Sequence, residues 1–405
     1  MRWIKQLEFK LLWPFYISRI IQSVFMLSNV YWVVYFLGIG YSLAQISLLP
    51  TIMLFTVLIF EFPTGLFADL KGRKWSVIIS TFLLAVATVS IPFVGLHFEI
   101  LVILYVLMGV GTALASGASD AWVVDLLNYH NKSNNIPHYY ATLHSLINIG
   151  FIIAPLLASV IFVLAGKLNY LWWIEGVMFL VVGLILLVFG KEKRIKQEQL
   201  KSTAISLCRK TIAQFCNDRI LVFMVIIIFL FGIIFGMSTL IWQPFLYAKG
   251  IPLAWFGMLF AFTGILAIMY PIIQKVALTK IGNRRLLQLI LIIQMLAFGV
   301  LAILPFTGII VIFFLLQNLD SIKIPIFQPW FQEHVPSAVR STLGSVVAMA
   351  GSIGEGFGYI LAGQFVERFN FNAVWWSIAG LCAVAAIVLA LAQHINNKTL
   401  SNHCI

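Results

Sequence analysis

Only 10% of the residues are charged, so an ionisable side chain inside an apolar run needs a reason to be there. At the centre of a bilayer each costs roughly 2.5–3.5 kcal/mol on insertion scales. Arg19 is the most informative. It shares a stripe with Gln22, Met26 and Asn29 at spacings of three and four, which on a helix is one face. A face of that kind is suited to meeting solute or water. Asp120 belongs to a second polar stripe with Thr112, Ser116 and Ser119, and is a candidate partner for Arg19. Asp320 and Lys323, in "QNLDSIKIP", stand one turn apart, a spacing suited to an internal ion pair with a structural or a functional purpose. Glu61, in "FEFPTG", lies two turns before Asp69, and Pro63 between them is expected to loosen the helix. A carboxyl in such a place is a candidate proton carrier. Glu355, inside "GSIGEGFGYILAG", is another, and Glu175 also falls within an apolar run; His144 and Asn148 are weaker candidates.

Other chemistries lack their residues. No G-x-x-x-x-G-K-[ST] loop occurs, and no polar stretch is long enough for an ATP-hydrolysing domain. Nothing resembles a metal-ligand cluster or a nucleophile beside a base, so no enzyme activity and no cofactor or metal is expected. The four cysteines, Cys208, Cys216, Cys382 and Cys404, form no disulfide framework. The energy for any transport would have to come from an ion gradient or from the solute's own gradient.

The elements that carry these residues follow from composition. The 405 residues are 61% hydrophobic, with a mean hydropathy of +1.01, far above an ordinary soluble domain. A span needs about 20 apolar residues. Twelve such runs start near residues 11, 43, 75, 99, 139 and 170, and then near 219, 254, 285, 308, 339 and 372. Runs such as "LVFMVIIIFLFGIIFG" do not alternate in polarity, which argues against a barrel. The first run lacks a small-residue cleavage site and reads as the first span.

The net charge of +12 is a matter of topology. Counted loop by loop, 21 of the 26 Lys and Arg residues fall on alternate breaks that include both termini and the middle loop, against Lys167, Lys249 and Arg368 on the other side. The positive-inside rule puts both termini in the cytoplasm. It also removes the reason to expect a nucleic-acid partner.

The halves repeat. Shifted by 210 positions, "YWVVYFLGIGYSLAQISLL" lies over "IWQPFLYAKGIPLAWFGML", and further matches follow in the same order, among them Trp122-x-x-Asp125 with Trp330-x-x-Glu333. The expected fold is all-α integral membrane, with twelve transmembrane helices in two six-helix bundles related by pseudo-two-fold symmetry. The boundaries are 1–190 for the first bundle, 191–218 for a cytoplasmic linker with a surface helix around 203–216, and 219–405 for the second bundle and tail. Parallel repeats of this kind suggest a transporter.

Between the second and third runs, Gly65-x-x-x-Asp69-x-Lys71-Gly72-Arg73-Lys74 closely resembles the signature loop of the major facilitator superfamily. Its copy "LTKIGNRR" keeps Gly282, Arg284 and Arg285 but has Thr279 in place of the acid. The glycines allow a tight turn and close helix approach, and the cations hold the loop in the cytoplasm. The resemblance implies a gate latch of Gly65, Asp69, Gly72, Arg73 and Asp125. It also implies a cavity lined by spans 1, 4, 7 and 10, where Trp32, Trp242 and Trp330 would suit an amphipathic solute.

"SGASDAWVVDLLN" and Gly150-x-x-x-Ala154-Pro155-x-x-Ala158-Ser159 are similar to segments of bacterial drug or antibiotic exporters, although Tyr105 stands where proton-coupled members place an arginine. The resemblance implies a monomeric inner-membrane antiporter that exports a drug-like, antibiotic or small peptide antibiotic compound against protons. A nutrient importer would share the fold, and a membrane sensor that transports nothing is a third reading.

Overall fold

The computed structural model describes residues 2–192, 218–301, 306–335 and 340–403. The linker helix expected at 203–216 lies outside the described residues. Among them the chain forms fourteen α-helices and three short 3-10 turns, with no strand. An all-helical membrane chain is what the bilayer demands, since a helix satisfies its backbone hydrogen bonds internally.

In chain order the helices are α1 (Arg2–Val24), α2 (Trp32–Ile39), α3 (Leu43–Lys71), α4 (Arg73–Ser90), α5 (Phe98–Ala115), α6 (Ala118–Tyr129), α7 (Ile136–Ala165) and α8 (Asn169–Phe189). They continue as α9 (Arg219–Ala248), α10 (Leu253–Ile281), α11 (Asn283–Leu301), α12 (Phe306–His334), α13 (Arg340–Arg368) and α14 (Phe371–His403). Among the described residues ten stretches are long and apolar enough to cross a membrane, and α10 and α12 occupy the places of the eighth and tenth expected spans. The twelve-helix layout in two bundles is consistent with this order.

Three local features differ from the sequence expectation. Span 1 does not run to Asn29 as one helix: α1 stops at Val24, and a 3-10 turn over Ser28–Val30 follows. The polar stripe of Arg19, Gln22, Met26 and Asn29 is therefore not a single helical face. Helix α3 runs unbroken through Pro63, so that proline opens no gap between Glu61 and Asp69. Span 4 is two helices, because Ser116 is extended (φ −58°, ψ 128°) and Gly117 takes φ +66°. A positive φ is open to glycine without steric cost, and two non-helical residues suffice to end α5 and restart as α6.

The chain forms two compact units. One comprises Met1–Tyr41, Ile52–Gln197 and Gly250–Gly264. In it α4 packs on α5 and α8, and α1 on α7 and α8. Its core gathers Leu12, Phe15, Trp122, Leu126, Tyr139 and Leu186.

The other comprises Ser42–Thr51, Glu198–Lys249 and Ile265–Ile405. Here α9 lies along α13 so closely that a Cβ on Gly232 or Gly236 would collide with the carbonyl oxygens of Gly351 or Glu355. In return, Gly354 and Gly358 sit against the carbonyls of Phe229 and Ile233. Lipid tails are as apolar as leucine, so backbone approach through small residues supplies much of the helix association. The glycines around Glu355 form this tight seam.

Trp242, in turn, packs on Phe313 and Trp375 at 4.7 Å between ring centroids, and Trp375 stacks on Phe298 at 5.7 Å. Trp242 and Trp330 are 1% and 2% exposed. Both are core residues and offer no surface to a solute, contrary to the sequence expectation.

Candidate functional site

The break in span 4 shapes the site. After Gly117, α6 starts afresh, and its first turn carries Ser119 and Asp120. The first N–H groups of a helix have no intrahelical acceptor, and the dipole places partial positive charge there. Across from this turn, α1 presents Ser18, Arg19 and Gln22, and the three face Ser119 and Tyr139 around a cavity of about 40 Å³ that is partly open to solvent. That is room for a few water molecules, well short of the roughly 300–1,000 Å³ of a small-molecule site. Its remaining walls are apolar, with Phe15 and Trp122 in edge contact at 4.8 Å. The indole N–H of Trp122 is spent on the carbonyl of Lys191 at 2.9 Å, which leaves the ring as a hydrocarbon wall.

Two of the polar groups here have nothing to bond. Ser18 is 4% exposed, and neither its Oγ nor the buried Oδ1 of Asp120 has a hydrogen-bond partner. Asp120 does not form the expected ion pair with Arg19. Instead both charges act on the Tyr139 phenol that stands near them. Gly150 of α7 seats on Ser23 of α1, with no room for a Cβ; that contact sets the spacing of the two helices that carry Tyr139 and Arg19.

Below the cavity, α6 is tied to the signature loop. Gly72 takes φ +113° and makes the turn into α4. Arg73, the first residue of α4, places Nη1 2.6 Å from Asp125 Oδ2 and donates to the carbonyl of Ala121 at 2.6 Å. Lys74 donates to the carbonyls of Leu187 and Gly190, both at 2.8 Å, at the end of α8. The sequence reading missed this cap, although a cation placed at a helix C-terminus is the expected partner of the last carbonyls. Asp69 is exposed and joins neither contact, and the space around the missing Cβ of Gly65 is open. Of the five residues that the resemblance implies for a latch, the fold joins Arg73 to Asp125 beside the turn made by Gly72.

The other candidates lie apart. Lys323 and Asp320 form the ion pair expected from their spacing, Nζ to Oδ1 at 2.6 Å, with side chains 3% and 7% exposed. Gln294 of α11 donates to the same carboxylate oxygen at 2.9 Å, and the Phe231 ring lies 4.8 Å from Nζ. Glu355 accepts from the Tyr359 hydroxyl at 2.9 Å. Glu61 and Asn29 are exposed, as are His144 and Asn148. Glu175 is 8% exposed and accepts the backbone N–H of Ser28 at 2.8 Å, so its carboxylate caps the 3-10 turn that ends span 1. Ser159 of the span-5 motif bonds the Tyr31 hydroxyl at 2.6 Å and accepts the N–H of Gly257 at 2.9 Å.

The sequence matches the family model of the Major Facilitator Superfamily over residues 7–359. An uncharacterized MFS-type transporter, YxaM of Bacillus subtilis (strain 168), is 23% identical over 384 residues, which is 91% of this chain and 92% of that protein. Among solved structures, a variant of the nucleoside transporter NupG superposes with a TM-score of 0.77 at 15% identity, covering 94% of this chain and 99% of that one. A bacterial homolog to the human lysosomal transporter Spinster gives 0.75 at 14% identity over 97% of both chains. A D-xylose-proton symporter gives 0.71 at 13% identity, over 94% of this chain and 97% of that one. Likeness at these identities carries the fold alone; the family match, over most of the chain, carries membership. This multi-pass membrane protein belongs to the Major Facilitator Superfamily of transporters.

Proposed function

We propose that the chain is a secondary transporter that works by alternating access and exports a small amphipathic, drug-like or antibiotic compound in exchange for protons. The observation that carries a transport role is the match to the Major Facilitator Superfamily over residues 7–359, and the polar cluster between α1 and α6, where an arginine and unpartnered polar atoms meet apolar walls, supports a place for water or protons on that path. Groups of that kind are costly to bury without a ligand or water to satisfy them. In this reading Arg73, Asp125 and Gly72 form the gate latch, and both termini face the cytoplasm of a monomer in the cell membrane. Among Glu61, Asp120, Asp320 and Glu355, Asp120 is the proton carrier best supported, because it adjoins the cavity.

A second reading, proton-coupled or facilitative import of a nutrient, is favoured by one feature. Tyr105, where proton-coupled exporters of the family place an arginine, is 5% exposed and packed in the core, which leaves no cation at that position.

Growth inhibition by a broad compound panel, in cells with and without the protein and with an uncoupler, separates these readings. Resistance that the uncoupler abolishes is the expected result. Raised sensitivity favours import, and an unchanged response across the panel counts against transport.

A further inference from the structure

We propose that Glu175 is a proton-binding group whose charge sets how firmly the break in span 1 is held. The inference rests on the transporter reading and adds a second proton site to Asp120. The Glu175 carboxylate is 8% exposed and accepts the backbone N–H of Ser28 at 2.8 Å. The Ser28 hydroxyl and the Leu27 N–H are its other hydrogen-bonding neighbours. All three donors belong to the break between α1 and α2. Among the described residues, no Lys, Arg or His acts on the carboxylate.

Each charge state satisfies part of this site. The ion gains the donors of the break, and burial of an unpaired charge opposes it. The neutral acid removes that cost and still offers an oxygen to the Ser28 N–H. The bond is then weaker, because charge-assisted hydrogen bonds are roughly twice as strong as neutral ones. One proton taken up from water therefore loosens the turn without emptying the site. The titratable group that acts with the carboxyl from α5 is the Tyr105 phenol. From α2, the Tyr35 phenol lies one turn away against Trp172, and from α4, Ala85 and Val89 meet Gly176 with nothing to titrate.

Helix α8 is the fixed side of the contact. Gly176 meets Val89 and the Ala85 carbonyl with no room for a Cβ, and Trp172 packs on Tyr35 and Phe36 at 5.5 and 5.8 Å between centroids. The break is the side that gives, since only one 3-10 turn, Ser28–Val30, stands between the end of α1 and the start of α2. Just past that turn, the Tyr31 hydroxyl bonds Ser159 of α7 at 2.6 Å and donates to the carbonyl of Leu253, the first residue of α10, at 3.0 Å. A looser turn is thus felt in α7 and α10, helices from both halves of the sequence. Glu175 stands about 9 Å into α8 from its start at Asn169, and by the positive-inside rule that end faces away from the cytoplasm. Its protons come from that side.

The test uses the full-length protein purified in detergent. Infrared difference spectra between about pH 8 and about pH 5 should show a carboxylic-acid C=O band that appears on acidification and shifts with isotope-labelled glutamate. Glu175→Gln, which keeps an acceptor for Ser28 but exchanges no proton, should lose that band. Hydrogen–deuterium exchange of residues 25–31, corrected for its intrinsic pH dependence, should run about fivefold faster at the lower pH in the wild type. In Glu175→Gln the corrected rate should not depend on pH.

A band that survives in Glu175→Gln overturns the proposal, as does the absence of an acid band in the wild type. The same pH response of residues 25–31 in the wild type and the variant overturns it too. Should Glu175→Gln not fold, the wild type decides: an acid band that ignores the glutamate label, or exchange at 25–31 that ignores pH, is fatal. The transporter reading fails separately: a compound panel that responds to the protein while Glu175 takes up no proton removes this site and keeps transport.

Discussion

Replacing Asp320 by asparagine removes the only carboxylate that faces the Lys323 ammonium among the described residues. At 2.6 Å and an effective dielectric constant of about 20, the attraction of the intact pair is about 6 kcal/mol. Taking each ion out of water costs several kcal/mol. For the intact pair the two terms nearly cancel. With side chains 3% and 7% exposed, losing one charge deletes the attraction and leaves the desolvation of the other.

The Phe231 ring remains 4.8 Å from Nζ, but a cation over an aromatic face is worth only about 0.5–2 kcal/mol. Asp320→Asn and Lys323→Met should each cost about 3–5 kcal/mol, a fall of roughly 10 °C in apparent melting temperature for a unit of this size. The double variant buries no charge, and its asparagine can still accept the Gln294 amide. It should melt within about 4 °C of the wild type. The cycle is read by intrinsic-fluorescence melting of the purified proteins in one detergent. Additive losses, or a single variant that melts like the wild type, would refute the reasoning. If the stable double variant also transports, the pair is structural.

Other perturbations test the packing around the site. Gly150→Val drives a branched side chain into Ser23, and overpacking of this kind costs typically about 1–3 kcal/mol or more; size-exclusion profiles should lose the monodisperse peak, whereas Gly38→Val, which meets open space, keeps it. Asp125→Ala strips Arg73 of its carboxylate and should lower thermal stability more than Asp69→Ala, since Asp69 is exposed; equal losses would remove the Arg73–Asp125 pair as the core of the latch. Glu175→Leu leaves the Ser28 N–H buried without an acceptor at a cost of about 1–3 kcal/mol, and Glu175→Gln, which keeps an acceptor, should recover most of it in the same melting assay.

Much was legible in the chain because a bilayer is an unforgiving solvent. It forces apolar runs into helices and sorts cations to one side, so span number, bundle repeat and signature loop could be read from local pattern. The Asp320–Lys323 pair was readable for the same reason, since its two members sit on one turn of one helix.

Contacts between helices followed other rules. The sequence places Arg19 and Asp120 about a hundred positions apart and invites a pair; the fold brings both near Tyr139 without joining them, because α1 reaches α6 across a cavity. Asp69 has the right spacing for the latch, yet it lies on an outward face of α3, while Arg73, four residues on and past the turn at Gly72, reaches Asp125. Trp242 and Trp330 look like cavity aromatics and are core.

Sequence by itself determined which segments are helices and which residues are costly enough to need a purpose. Only the tertiary structure decided which polar groups share a space. That depends on where α1 ends, on two non-helical residues at 116–117, and on glycines that set how closely helices approach. None of these has a period that can be read along the chain, because each is fixed by a backbone angle or by atoms that meet from distant segments.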